Sequence, residues 1–232
     1  MAEKTVGILG GMGPEATVDL FAKIVGATPA STDQEHLRII IDNNAKIPSR
    51  QANLLGNGED PTPLLQATAR NLERAGAGFI VMPCNTAHLF FDRVVEAVRI
   101  PVLNIADETV EEVLRRFPRI QTIGVLASTA TVQLRLYHGK LEARGLRAIS
   151  PAQADQEIVQ SVIFSVKAGD KGPEVREMIR GVAERLAAQG AEALLTACTE
   201  LPLVLQDGGV GVPVVDPTHA LAMAAVRFAR GE

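Results

Sequence analysis

Two kinds of hydrophobic pattern alternate along the chain. Short apolar runs, closed by glycine, proline or cap-type residues, read as buried strands of a parallel sheet. They fall at 5–9, 38–42, 79–82, 101–105, 121–126, ahead of Cys198, and at 213–216. Between them, apolar residues recur every three or four positions, as on a helix with one buried face. The spacing predicts helices over 14–26, 61–75, 107–117, 131–144, through Ile158, Val162 and Ile163 to Lys167, over 173–189 and over 219–230. A further helix is predicted after Asn85 and Thr86, two cap-type residues that follow Cys84. Strands alternating with helices imply an α/β fold with mostly parallel sheets.

The pattern repeats. Ala69, Leu72, Gly76, Ala77 and Cys84 match Ala183, Leu186, Gly190, Ala191 and Cys198 at a constant offset of 114. Thr5 to Gly10 resembles Thr122 to Ala127, and Pro101 to Asn104 resembles Pro213 to Asp216. The period is too long for a solenoid and indicates a duplicated domain. The expected division is 1–106 plus 211–232 for the first α/β domain and 107–210 for the second. Each is expected to hold a mostly parallel four-stranded sheet flanked by helices, the two being quasi-symmetric.

Composition narrows the function classes. The chain has 232 residues, 47% of them hydrophobic in short runs, none long enough to span a membrane. A net charge of −4, seven Phe, one Tyr and no Trp argue against a nucleic-acid partner. The N-terminal Met-Ala-Glu-Lys-Thr-Val enters a strand at once and reads as lacking a signal peptide. Two cysteines without such a signal point to free thiols in a reducing, cytoplasmic compartment. No Cys/His spacing suits zinc, and no pyridoxal-phosphate site is recognisable; neither a metal nor a cofactor is expected.

Several polar residues stand out, each with a plain structural reading beside the chemical one. Gly10-Gly-Met-Gly13 could present amides to an anion, or could simply be a tight strand-to-helix turn. It lacks a P-loop ending, and only Asp42 could meet a nucleotide ribose, so nucleotide binding is disfavoured. Ser128 and Thr129 replace those glycines in the second half, as anion donors or as an ordinary N-cap. Arg50, in the long polar stretch 43–60, could clamp a carboxylate or lie in solvent. Lys167 could bind a carboxylate or complement a helix end. His88, four residues after Cys84, reads more readily as a packed or capping side chain than as a partner of the thiol.

The equivalent cysteines carry the functional argument. Ligands of open α/β sheets sit beyond the carboxyl ends of the strands, where Cys84 and Cys198 both lie. Two thiols facing across a cleft would suit removal of a proton from one side of a carbon and delivery to the other. A helix N-terminus after each cysteine is expected to favour its thiolate. Three readings compete: a disulfide, buried structural cysteines, and a single hydrolytic nucleophile. A cytosolic setting and a substrate slot of roughly 7 Å or more disfavour the first. Occurrence at equivalent places disfavours the second, and no His/Asp partner set supports the third.

Gly7-Ile-Leu-Gly-Gly-Met-Gly-Pro-Glu-Ala-Thr17, Pro83-Cys-Asn-Thr-Ala-His88 and Ala197-Cys-Thr-Glu-Leu-Pro202 resemble the signature segments of the aspartate/glutamate racemase superfamily, most closely its aspartate branch. The resemblance covers nearly the whole chain. It implies two flavodoxin-like domains with the active site between them, a homodimer, a small acidic amino-acid substrate, and cofactor-independent two-base racemisation by Cys84 and Cys198. It further implies that Met12, Gly13, Asn85, Thr86, Thr199 and Glu200 line the substrate pocket, and that Arg50 and Lys167 hold carboxylates. Glutamate racemases carry Cys-Thr-His where this chain has Cys198-Thr199-Glu200, which favours aspartate or a broader range of acidic amino acids. A carboxylate beside a thiol disfavours its thiolate, so Glu200 is expected to keep Cys198 as the resting acid. Hydantoin racemase, maleate isomerase and arylmalonate decarboxylase share this scaffold and form the alternative, with a non-catalytic binder of small acids as another.

Overall fold

The computed structural model describes residues 3–232; Met1 and Ala2 of the N-terminal stretch lie outside them. The chain forms two compact units, Met1–Glu108 with Thr218–Glu232, and Thr109–Pro217.

The first unit opens with β1 (Val6–Gly10), α1 (Pro14–Ala27), β2 (Ile39–Asn43), α2 (Arg50–Leu54), α3 (Thr62–Arg74), β3 (Phe79–Val81) and α4 (Phe91–Val95). Helix α5 (Ile105–Arg116) carries the chain into the second unit. There follow β4 (Thr122–Ala127), α6 (Thr129–Gln133), α7 (Leu136–Glu142), β5 (Arg147–Ile149), α8 (Gln153–Lys167), α9 (Pro173–Ala188), β6 (Ala193–Ala197) and β7 (Val214–Val215). Helix α10 (Pro217–Arg230) brings the chain back.

Both sheets are parallel. The first has strand order β2-β1-β3 and the second β5-β4-β6-β7. The expected fourth strand of the first sheet shrinks to one bridge, Val102 beside Ile80. Two bonds make it: Ile80 N–H to Pro101 O at 2.8 Å and Leu103 N–H to Ile80 O at 2.9 Å. Pro101 has no amide proton to extend the pairing, and Asn104 Oδ1 already accepts from Ala106 N at the start of α5. In the second sheet Val214 and Val215 pair with Leu194 and Leu195. The chain thus crosses back at α10, later than the residue-211 boundary expected from sequence. Strand β5 was not foreseen: its three residues are exposed or half-buried and carry no apolar run.

The duplication extends to packing. A Cβ on Gly7 would lie 2.8 Å from Ala77 Cβ, and one on Gly124 would lie 3.0 Å from Ala191 Cβ. Glycine in each central strand lets the segment ahead of the cysteine strand close onto the sheet. In the first unit α10 lays Leu221, Ala222 and Ala225 against Val6, Ile8, Leu20 and Phe79. In the second, Val175, Ile179, Val182 and Leu186 of α9 join Val159, Val162, Ile163 and Leu194. Each fully buried branched side chain contributes about 2 kcal/mol, which outweighs local helix propensity. One predicted helix is broken. Arg135, at φ 55°, interrupts 131–144 between α6 and α7. Among the described residues, no helix is long and apolar enough to cross a membrane.

Candidate active site

Cys84 lies just beyond the carboxyl end of β3 and Cys198 just beyond that of β6. Both are free thiols, 6% and 7% exposed. The turn after each is built alike: Ala87 N–H reaches Cys84 O at 3.2 Å, and Leu201 N–H reaches Cys198 O at 2.9 Å. These three-residue closures form 3-10 segments, Thr86–Phe90 and Leu201–Leu203. The helix N-termini expected to favour both thiolates are therefore replaced by short 3-10 turns with little aligned dipole.

The surroundings of Cys198 act in the opposite direction to that expectation. Its Sγ–H donates to Glu200 Oε2 at 3.0 Å, and Thr199 Oγ1 donates to the same oxygen at 3.4 Å. Glu200 is itself buried. Lys167 Nζ, at the end of α8, is 3.6 Å from Glu200 Oε1 with its side chain 41% exposed. Burial pushes the Cys198 thiol well above its ordinary value, and the Glu200 charge pushes it further. Lys167 and the Glu200 backbone amide pull it down, and do not prevail. This agrees in sign with the resting acid expected from sequence. A thiol raised on folding adds stability below the ordinary thiol range, about pH 8.5, and loses it as pH climbs toward the folded value.

Glu200→Gln removes the charge and is expected to shift the titration of Cys198 toward lower pH. Lys167→Met should shift it higher. The pH dependence of iodoacetamide alkylation, followed on the Cys198 peptide by mass spectrometry, reads both. An unmoved profile in Glu200→Gln would contradict the electrostatic assignment.

Two polar residues, Asn85 and Thr86, follow Cys84 in the chain, and both are buried. The Met12 side chain, 2% exposed, packs in the same apolar cluster as Cys84, Leu9, Ile80 and Met82. Gly13 is the N-cap of α1, which has no side-chain cap. Arg50 spends its guanidinium on carbonyls: Nη1 donates to Ile47 O (3.1 Å) and Pro48 O (2.9 Å), and Nη2 to Met12 O (3.1 Å). It ties the glycine turn to the segment ahead of α2. Its Nε is buried without a hydrogen-bond partner, so the guanidinium keeps an unspent donor on the edge it shares with Nη2.

The glycine turn is less open to an anion than its composition suggests. Gly11 N–H donates to Thr17 Oγ1 at 2.9 Å, and Thr17 Oγ1–H donates to Gly13 O at 3.2 Å. In the second half, Thr131 N–H meets Ser128 Oγ at 3.4 Å and Thr129 N–H meets Gln160 Oε1 at 2.9 Å. Ser128 thus has the N-cap role. Asp42 Oδ2 accepts from Asn71 Nδ2 at 2.8 Å. Thr17 and Gln160 escaped the sequence reading; Thr17 could have been suspected from its place one turn into the helix that follows the glycines. Among the described residues, no group of three or more His, Cys, Asp or Glu side chains could hold a metal ion.

Comparison with known proteins places these segments in context. A family model described as Asp/Glu/Hydantoin racemase matches residues 9–225. The broad specificity amino-acid racemase RacX of Bacillus subtilis is 27% identical over 228 residues, covering 95% of this chain and 96% of its own. Among solved structures, Picrophilus torridus aspartate racemase is 35% identical with a TM-score of 0.87, over 98% of this chain and 94% of that one. An aspartate racemase homologue from Pyrococcus horikoshii is 28% identical with a TM-score of 0.79, over 98% and 99%.

Proposed function

The chain belongs to the Asp/Glu/Hydantoin racemase family, and we propose that it interconverts L- and D-aspartate, with other acidic amino acids as further candidates, by a cofactor-independent two-thiol mechanism. The observation that carries this reading is one free thiol beyond the equivalent strand of each of two matching parallel sheets.

The proposed chemistry needs both thiols to address one substrate carbon. One cysteine, as thiolate, takes the α-proton; the C–H bond breaks, an S–H bond forms, and the electron pair stays on carbon. The other, as thiol, gives its proton to the opposite face. The roles exchange in the reverse direction. Positioning of reactants and proton transfer by groups in reach supply the rate. Cys198, donating to a buried carboxylate, rests in the acid form. Lys167 is the cation proposed to meet a substrate carboxylate, exchanging its contact with Glu200 for it. Arg50 is proposed to act chiefly by holding the Met12–Gly13 turn in place.

The test is α-proton exchange in D₂O. L-aspartate and D-aspartate are incubated separately with the protein and no added cofactor, following deuterium at the α-carbon by NMR and chirality by chiral chromatography. Inversion from both sides is expected, with deuterium entering at the inverted centre. If aspartate, glutamate and related acidic amino acids all fail to invert while one of them binds, the chain is a binder and the proposal is wrong.

A further inference from the structure

The two thiols are supported by different devices. In the second unit the support is Glu200, bonded to the Cys198 sulfur itself. At the matching offset in the first unit stands Thr86, and among the described residues Cys84 Sγ meets no carboxylate within hydrogen-bond distance. Its support is His88, which occupies the place held by Pro202 in the second half.

His88 is 4% exposed and its ring stacks on Phe91 at 5.9 Å between centroids. Nε2 accepts from Ile105 N at 3.1 Å. A backbone amide can only donate, so Nε2 is unprotonated and the proton of the neutral ring sits on Nδ1. Nδ1–H then donates to Cys84 O at 2.9 Å. The imidazole is thus a two-ended strut. One end holds the carbonyl of the thiol residue, and the other holds the first amide of α5, seventeen residues further along the chain. The first amides of a helix have no acceptor within the helix, and the ring supplies one for this amide.

We infer that His88 is the positioning residue of Cys84: its ring fixes the thiol-bearing turn against the start of α5 and does not touch the reacting atoms. As a role in catalysis this rests on the two-thiol reading above; as a statement about the Cys84 turn it does not. His88→Ala cuts both bonds. His88→Asn keeps a donor near the Nδ1 position, and His88→Gln keeps an acceptor near the Nε2 position.

Cys198 sits in the other unit with its own core and serves as the internal reference. The experiment alkylates both thiols with iodoacetamide in wild type and the three variants, reading each cysteine's peptide by mass spectrometry, and measures kcat and KM for aspartate. In His88→Ala, Cys84 alkylation is expected to rise about tenfold as the buried turn loosens, with Cys198 unchanged. The kcat is expected to fall about 100-fold, the scale of an ångström-sized misplacement, with KM within about threefold. Asn and Gln are expected to fall between wild type and Ala in both readouts. Unchanged Cys84 alkylation, or an equal rise at Cys198, overturns the inference, as does a kcat within about threefold of wild type. If wild type does not invert aspartate, the racemase reading fails by itself, and the alkylation ratio still decides whether His88 positions Cys84.

Discussion

Cys84→Ala and Cys198→Ala are each expected to lower inversion of aspartate by about 10³-fold or more, the scale of a lost general acid or base. Either change removes one of the two proton carriers that the proposed reaction needs. Neither should unfold the chain. Both residues are small buried side chains at strand ends, with large apolar clusters around them that alanine leaves in place. The variants should differ in what remains. With Cys84 gone, the remaining thiol is one that burial and Glu200 hold protonated, so α-proton exchange without inversion should be slow and should rise with pH. With Cys198 gone, the thiol bonded to Glu200 is the one removed. Deuterium incorporation and chirality in D₂O, measured for each enantiomer and each variant, separate these cases. A single variant that still inverts within tenfold of wild type would exclude the two-thiol reaction.

Gly11→Ala is expected to cost about 2–5 kcal/mol of folding stability. Gly11 has φ 90°, which costs a residue with a Cβ about 1 kcal/mol or more. The added carbon would also lie 2.3 Å from Asn44 C, 2.5 Å from Asn44 O and 2.6 Å from Ala45 N. These are backbone atoms and cannot rotate aside, so the overpacking penalty of about 1–3 kcal/mol applies in full. Gly56 gives the control. It has φ 80° with nothing within 4 Å of a built Cβ, so Gly56→Ala should show the conformational cost alone. Urea unfolding of both variants checks this; a loss below about 1 kcal/mol at Gly11 would show that the contact with Asn44 relaxes. A domain is typically stable by only about 5–15 kcal/mol, so this one carbon removes a large share. Gly10 and Gly11 are best explained as positions of the turn that admit no side chain, the Gly11 amide being already spent on Thr17.

Much of the scaffold could be read from the residues. Short apolar runs gave β1, β3, β4 and β6, because burial on both faces of a parallel sheet demands them, and a like run gave β2, which is only partly buried. The 114-residue echo located the second thiol from the first, and the packing of Gly7 on Ala77 and Gly124 on Ala191 shows what the echo preserves. What escaped detection lacked a local signal. Strand β5 is half-exposed, the kink at Arg135 has no glycine or proline to announce it, and the turns after the cysteines tightened to 3-10.

By itself the sequence determined the alternation of strands and helices, the duplication, and the two strand-end cysteines, because burial period and turn chemistry are properties of neighbouring residues. Only the tertiary structure decided how each polar group is spent. Lys167 reaches Glu200 from another helix, His88 reaches Ile105 across seventeen residues, Thr17 takes the amide of Gly11, and Arg50 binds the carbonyl of Met12. Hydrogen bonds act over about 3 Å, and which donor comes within that range of which acceptor is fixed by the packed core rather than by position along the chain.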